Sequence, residues 1–137
     1  MASSKRGFVL IAMSVSILLL LAVLGLAFDL GRIYIARNEA QIFTDAAAMA
    51  AAAKLDGTPA GQQRARDAVA GLPARWDLGT KAFSGVVVEF PGDGQSVRVT
   101  APINPVEITF LQAVGGPPTF TVPAHSLAAA NPVRLLE

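Results

Sequence analysis

The sequence contains no cysteine, and histidine, tryptophan and tyrosine occur once each. Without cysteine there can be no disulfide, no thiol nucleophile and no cysteine-ligated metal. The single histidine, His125, lies beside Ser126 but far in sequence from a carboxylate suited to orient it, so a small hydrolase using this pair has little support. The carboxylates lack metal-loop spacing, and Asp93 belongs to a Pro-Gly-Asp-Gly turn. We therefore predict no enzyme activity, no cofactor and no metal site.

Charge is also scarce. Charged residues make up 15% of the chain, and 11 Lys and Arg balance 10 Asp and Glu to a net charge of +1. A nucleic-acid-binding surface needs a basic patch or stripe, and the sequence has none. We predict that nucleic acid is not a partner.

One long stretch lacks charge altogether. No ionisable residue lies between Arg6 and Asp29, and the 21 residues from Phe8 to Phe28 are apolar except for two serines. As a helix this run is about 32 Å long, close to the roughly 30 Å hydrocarbon core of a bilayer. Its Leu, Ile, Val and Phe side chains contribute on the order of −4 to −8 kcal/mol to insertion. The sequence predicts a transmembrane helix over 7–28, with the lipid bilayer as its partner.

The ends of this span indicate its orientation and two alternative cleavage sites. Lys5 and Arg6 in a tail of residues 1–6 predict a cytoplasmic N-terminus and an extracytoplasmic C-terminal part. Gly25-Leu26-Ala27 could serve as a signal-peptidase site, and cleavage after Ala27 would release a secreted binding domain. Lys5-Arg6-Gly7-Phe8 resembles a type IV prepilin junction, which makes Gly7 and Phe8 the candidate processing residues. Ala12 replaces the glutamate usual in that family.

Helical periodicity continues past the span. Apolar residues recur at steps of three and four, so 29–56 is predicted to be an amphipathic extension of the same helix, with Gly25 and Gly31 as the favoured bends. Asp56-Gly57 supplies a stop. The alanine-rich block 46–53 can approach another backbone closely. It is covered either by the chain's own small domain or by other subunits.

Residues 57–137 are predicted to form a small α+β domain. Thr58 and Pro59 begin a short helix that runs to about Ala70. Residues 73–82 are interpreted as a loop in which Trp76 anchors the core. Alternating valines predict a hairpin of strands 83–90 and 95–101, and 119–128 is predicted as a third strand. Residues 102–105 interrupt the pattern, and 106–114 remains open between a short helix and a strand.

The segments Phe28-Asp-Leu-Gly-Arg-Ile-Tyr-Ile-Ala-Arg37 and Gln41-Ile-Phe-Thr-Asp-Ala-Ala-Ala-Met-Ala50 resemble the N-terminal region of Tad-type (Flp) pilus-assembly proteins of the TadG-like kind, relatives of the TadE-like minor pilins. The resemblance implies a single-pass bacterial inner-membrane protein with a periplasmic C-terminal domain. It also implies partners among pilus-assembly or pilin subunits, including other copies of the chain, and a place in an extracellular filament. The metal motif of the von Willebrand A domain found in longer relatives is absent. Candidate interface residues are Asp29, Arg32, Tyr34, Gln41, Asp45, Ala47 and Ala50.

Overall fold

The computed structural model describes residues 3–76, 81–82, 84–92, 94–101 and 105–130, with only the backbone of 3–6 and of Trp76. Three helices are present in these ranges: α1 (Ser3–Ala52), α2 (Pro59–Ala70) and α3 (Phe110–Ala113). The strands are β1 (Arg75–Trp76), β2 (Lys81–Ala82), β3 (Val87–Glu89), β4 (Ser96–Ala101), β5 (Pro105–Glu107), β6 (Thr119–Thr121) and β7 (Ala124–Ala129). The fold is α+β, as predicted: a long N-terminal helix carries small antiparallel sheets.

The first half of α1 has the properties of a membrane span. Most of its apolar side chains are exposed, as shown by Leu18, which is 66% exposed. Ser14 and Ser16 donate hydrogen bonds to the carbonyls of Leu10 and Ala12, one turn earlier, both at 2.9 Å, so neither hydroxyl needs water. Within the described residues, α1 is the one helix long and apolar enough to cross a membrane.

The second half of α1 forms one wall of the domain core. Its buried face is made mostly of alanine, and the small side chains let the sheet and α2 lie close to the helix backbone. The buried residues on this face are Ala36, Ala40, Phe43, Ala47, Ala48, Ala51 and Ala52. The alanine block is therefore covered by the chain's own domain on this side, which is one of the two alternatives left open by the sequence.

A three-stranded antiparallel sheet with the order β3-β4-β7 packs on this wall. Val97, Val99 and Ala101 of the central strand are fully buried, and Arg98 lies on the opposite face, 3.9 Å from Glu89 of β3. The predicted hairpin is confirmed, because β3 pairs with β4 and their side chains alternate between two faces. Its first strand is shorter than the predicted 83–90, since among residues 84–90 only 87–89 form the strand. Residue 83, the start of its first predicted strand, lies outside the described residues, as does Asp93 in its turn.

The helix α2 begins where it was predicted to begin. The Thr58 side chain accepts a hydrogen bond from the N–H of Gly61 at 3.0 Å, and Pro59 occupies the first turn. Ala65 and Val69 are buried in the same core as the inner face of α1. The helix thus closes a second side of the core.

Two expectations are wrong in detail. Residues 73–82 are not simply a loop, because β1 and β2 pair there as a short antiparallel ladder. The predicted single strand over 119–128 is two strands: β6 pairs with β5, whereas β7 pairs with β4. Pro123 separates them, since it has no N–H to donate to a ladder. The predicted core position of the Trp76 side chain lies outside the described residues, as do residues 102–104 of the predicted interruption at 102–105. Pro105, the last residue of that interruption, is instead the first residue of β5.

The segment left open between helix and strand contains both. Residues 105–107 form β5, and the single turn α3 follows at Phe110. Ile108 is buried between them, and its N–H donates to the carbonyl of Pro118 at 2.9 Å. This bond closes the loop that carries α3.

Candidate functional site

Asp29, the first charged residue after the apolar run, is bound to the start of α3. One carboxylate oxygen, Oδ2, accepts the backbone N–H groups of Phe110 at 2.7 Å and Leu111 at 2.6 Å, and Oδ1 accepts that of Thr109 at 3.1 Å. The first N–H groups of a helix have no partner within the helix, and a carboxylate satisfies them with charge-assisted bonds. Asp29 is 1% exposed as a result. The end of the apolar run and the small domain are joined at this point.

Gly25 makes room for this contact one turn earlier on α1. A Cβ placed on Gly25 would come within 2.6–2.7 Å of Cβ, Cγ and Cδ1 of Phe110, so the aromatic side chain packs directly on the helix backbone. The ring of Phe28 meets that of Phe110 edge to face, with centroids 5.9 Å apart. Gly25 and Gly31, which were expected to bend the helix, both lie inside the continuous α1.

A second polar cluster joins β7 to α1 about four turns further on. The Ser126 hydroxyl donates to the carboxylate of Asp45, and the Gln41 amide donates to the Ser126 oxygen at 3.2 Å and to Asp45 at 2.9 Å. Thr44, fully buried, donates to the carbonyl of Gln41 at 3.0 Å and lies 3.0 Å from the Ser126 oxygen. The Gln-x-x-x-Asp motif of α1 therefore fixes the edge strand of the chain's own sheet.

The structure does not bring His125 and Ser126 together as a catalytic pair. Successive side chains of a strand point to opposite faces, so Ser126 is buried against α1 whereas His125 is exposed on the other side of β7. Among the residues that the structure describes, no group of three or more His, Asp or Glu is placed to hold a metal ion.

The other candidate interface residues have different surroundings. Tyr34 is exposed, Arg32 is half-buried three residues after Asp29 on the same helix, and Ala50 is partly buried. Ala47 has no exposed surface because the chain's own domain covers it. Gly7 and Phe8 lie on the exposed apolar part of α1. That these residues contact other subunits stays a prediction.

The face of α1 opposite the domain carries exposed apolar side chains at seven-residue spacing. We call Ile35, Ile42 and Met49 the outer stripe; each follows the last by two helical turns, and Ile42 is 66% exposed. A spacing of seven keeps residues on one side of a helix and is typical of a seam between helices. These three residues are not among those predicted from the sequence to be at an interface, although their seven-residue spacing is visible in it.

The junction between α1 and α2 holds an acidic side chain with a shifted pKa. Hydrogen bonds from the Thr58 hydroxyl at 2.6 Å and the Thr58 backbone N–H at 3.0 Å, together with Arg64 at 2.5 Å, lower the pKa of Asp56 to about 2. The carboxylate stays ionised at neutral pH and stabilises the first turn of α2.

No curated protein and no solved structure matches the chain, but a family model matches its N-terminal third. The family described as "Putative Flp pilus-assembly TadE/G-like" matches residues 7–54, the segment that contains the span, Asp29 and the Gln41–Asp45 motif. The resemblance predicted from the sequence is thus confirmed over this region: residues 7–54, about a third of the chain, match the Flp pilus-assembly TadE/G-like family model.

Proposed function

We propose that this chain is a single-pass, membrane-anchored structural component of a Tad/Flp-type pilus or a related secretion filament, acting as a minor pilin-like subunit or an assembly scaffold. The family match over 7–54 carries the proposal, because it falls on the one helix that combines a membrane span with a wall of the domain core. The chain acts through packing of surfaces and not through a reaction.

The proposed orientation follows from charge. Lys5 and Arg6 flank the apolar run on one side and remain in the cytoplasm, so the domain of residues 57–137 lies in the periplasm of a bacterial inner-membrane protein. The four parts of the chain are a tail (1–6), a span (7–28), an amphipathic extension (29–56) and that domain. Incorporation into an extracellular filament would place the same domain outside the cell.

We assign partner contact to the outer stripe. Its side chains are exposed although they are apolar, and they lie on the side of α1 that the domain leaves uncovered. Tyr34 is also exposed, although it points to a different side of α1 from the outer stripe, and it lies near the apolar run, where tyrosine favours the headgroup region. A second copy of the chain would offer the same exposed apolar side chains to this surface, and a pilus-assembly subunit with an apolar helix face would fit it in the same way.

Replacement of Ile42 by Asp tests this function. Because Ile42 is exposed, Ile42→Asp should leave the fold intact, as judged by circular dichroism of the purified full chain in micelles. We expect pilus-assembly subunits to copurify with the wild-type chain from solubilised membranes and to be lost with this variant. Gln63→Asp, on the exposed face of α2, is the matched control.

An unchanged set of copurifying subunits with Ile42→Asp would refute the assignment of partner contact to the outer stripe. The absence of such subunits from the wild-type sample would refute the proposed function.

Mass spectrometry of the N-terminus in the same sample tests processing. An intact N-terminus, or one that begins at Phe8, keeps the anchor. An N-terminus at Phe28 would establish the alternative, a secreted binding domain released after Ala27. That cleavage would also remove Gly25, on which Phe110 packs.

A further inference from the structure

We propose that residues 108–118, which we call the apolar loop, make a second and shallow contact with the membrane. This contact lies beside the span, in the outer leaflet of the bilayer. The loop carries α3 and contains no ionisable residue. The proposed ligand is the boundary between lipid headgroups and acyl chains. The inference rests on the span over 7–28 proposed above and adds a membrane contact that lies 80 residues further along the chain.

The apolar loop lies against the apolar run of α1. Phe110 packs on Gly25, four residues before Asp29, and therefore about 6 Å below the level at which α1 leaves the apolar run. A cavity of about 540 Å³ between the loop and α1 is lined by Leu21, Val23 and Leu26 on one side and by Leu111 and Val114 on the other. Since the α1 residues belong to the span, lipid that surrounds them also reaches the loop.

The side chains of the loop suit that environment. Phe110 is 48% exposed and Val114 is 73% exposed, and neither has a charged neighbour within the loop. Exposed in water, this apolar surface would be unfavourable, whereas at the headgroup boundary it continues the apolar surface of the span. Among the described residues, Val114 is the most exposed valine, and a position beside the span gives this side chain an apolar environment.

The backbone of the loop gives independent support. Segments in lipid must satisfy their own N–H groups, because no water is available to do so. The N–H groups of residues 109–111 donate to Asp29, and that of Ile108 donates to the Pro118 carbonyl. The N–H groups of 114, 115 and 116 donate to the carbonyls of Leu111 and Gln112, and Pro117 and Pro118 have none. Seven of the nine N–H groups of the apolar loop therefore donate to named acceptors within the chain, which suits a segment in contact with lipid.

Single cysteines allow a direct test, because the natural chain has none. The full-length variants Val114→Cys and Ala113→Cys carry a nitrobenzoxadiazole label, in nanodiscs of phosphatidylethanolamine and phosphatidylglycerol loaded with one copy each. We expect a blue-shifted emission, several-fold weaker quenching by iodide than for Gln63→Cys, and strong quenching by lipids with a nitroxide at acyl carbon 5. Leu18→Cys reports on the span itself.

Every outcome of these quenching measurements either supports or overturns the proposed contact of the apolar loop with lipid. Iodide quenching at residues 113 and 114 equal to that at residue 63 would overturn the proposal. Protection from iodide without quenching by nitroxide lipids would also overturn it, because protein and not lipid would then cover the loop. If Leu18→Cys is quenched by nitroxide lipids and Val114→Cys is not, only this inference fails. If neither is quenched, the proposed anchor fails as well.

Discussion

Asp29 is the residue through which the small domain is held to the end of the span, and its replacement by Asn should release the apolar loop. Asn keeps one acceptor oxygen but presents an NH₂ group to a backbone N–H, so Asp29→Asn leaves a buried donor unsatisfied. We expect a local loss of about 1–3 kcal/mol, and therefore exchange of the amides of 109–111 that is roughly ten- to hundred-fold faster. Hydrogen–deuterium exchange of the full chain in micelles measures this rate. Asp67→Asn is the control. Asp67 is exposed and accepts a hydrogen bond from Gln63, which an asparagine oxygen can also accept, so the exchange rates of 109–111 should not change.

Gly25 and Gly31 form a matched pair that separates helix propensity from contact. Alanine has a higher helix propensity than glycine by about 1 kcal/mol. On propensity alone, Gly25→Ala and Gly31→Ala should therefore both stabilise α1. At Gly25 the new Cβ would meet Phe110 near its own Cβ, where the side chain cannot yield, whereas at Gly31 there is nothing within 4 Å. We expect Gly25→Ala to speed amide exchange in 109–111 and Gly31→Ala to leave it unchanged. Equal rates in the two variants would contradict the packing of Phe110 on α1.

Asp56 gives a pH dependence with a defined sign. Its pKa is about 2 in the folded chain against an ordinary value of 3.8, so the folded state favours the ionised form. The stabilisation it provides is complete above about pH 4 and is lost as the pH falls through the range from 3.8 to 2. NMR titration of the Asp56 carboxyl carbon should show the low pKa, and Asp56→Asn should remove this part of the acid transition. A carboxyl group that titrates at its ordinary value would contradict the hydrogen bonds from Thr58.

Among the elements, α1 carries a prediction that separates its two faces. Ala47 has no exposed surface, whereas its neighbour Ala46 is exposed. A leucine in a filled core costs about 1–3 kcal/mol, so Ala47→Leu should lower the thermal unfolding midpoint of the domain while Ala46→Leu should leave it unchanged. Circular dichroism in micelles measures both midpoints. An unchanged unfolding midpoint in Ala47→Leu would mean that this face of α1 is not covered by the domain.

The elements also show what periodicity in a sequence can predict. The long helix, the cap of α2 and the two faces of the hairpin depend on residues within a few positions of one another, and these predictions are confirmed. The division of 119–128 depends on which distant strand each half pairs with, and no local pattern encodes that choice. Pro123 was the available signal, because a proline without an N–H interrupts a ladder.

The candidate site was predictable only in part, for the same reason. Asp29 and Gln41 were singled out from a motif, but their partners lie about 80 residues away, in α3 and at Ser126. The motif identified residues that matter without saying what they touch. Backbone N–H groups at 109–111 leave no trace in the side-chain pattern.

At the level of the whole molecule, the domain should depend on α1 for its fold. The core includes residues 36–52 of α1 on one side and the sheet on the other, so residues 57–137 alone have only part of a core. We expect a fragment of residues 57–137 to give a collapsed amide spectrum in ¹H–¹⁵N NMR and a fragment of residues 29–137 to give a dispersed one. A folded shorter fragment would show that the alanine face is dispensable.

One uninterrupted helix, α1, contains both the apolar run and a wall of the domain core, so no flexible linker separates the two. If the apolar run is anchored in a membrane as proposed, a force applied to the domain would be transmitted directly to the anchored segment, and a change in the tilt of that segment would reorient the domain by the same angle.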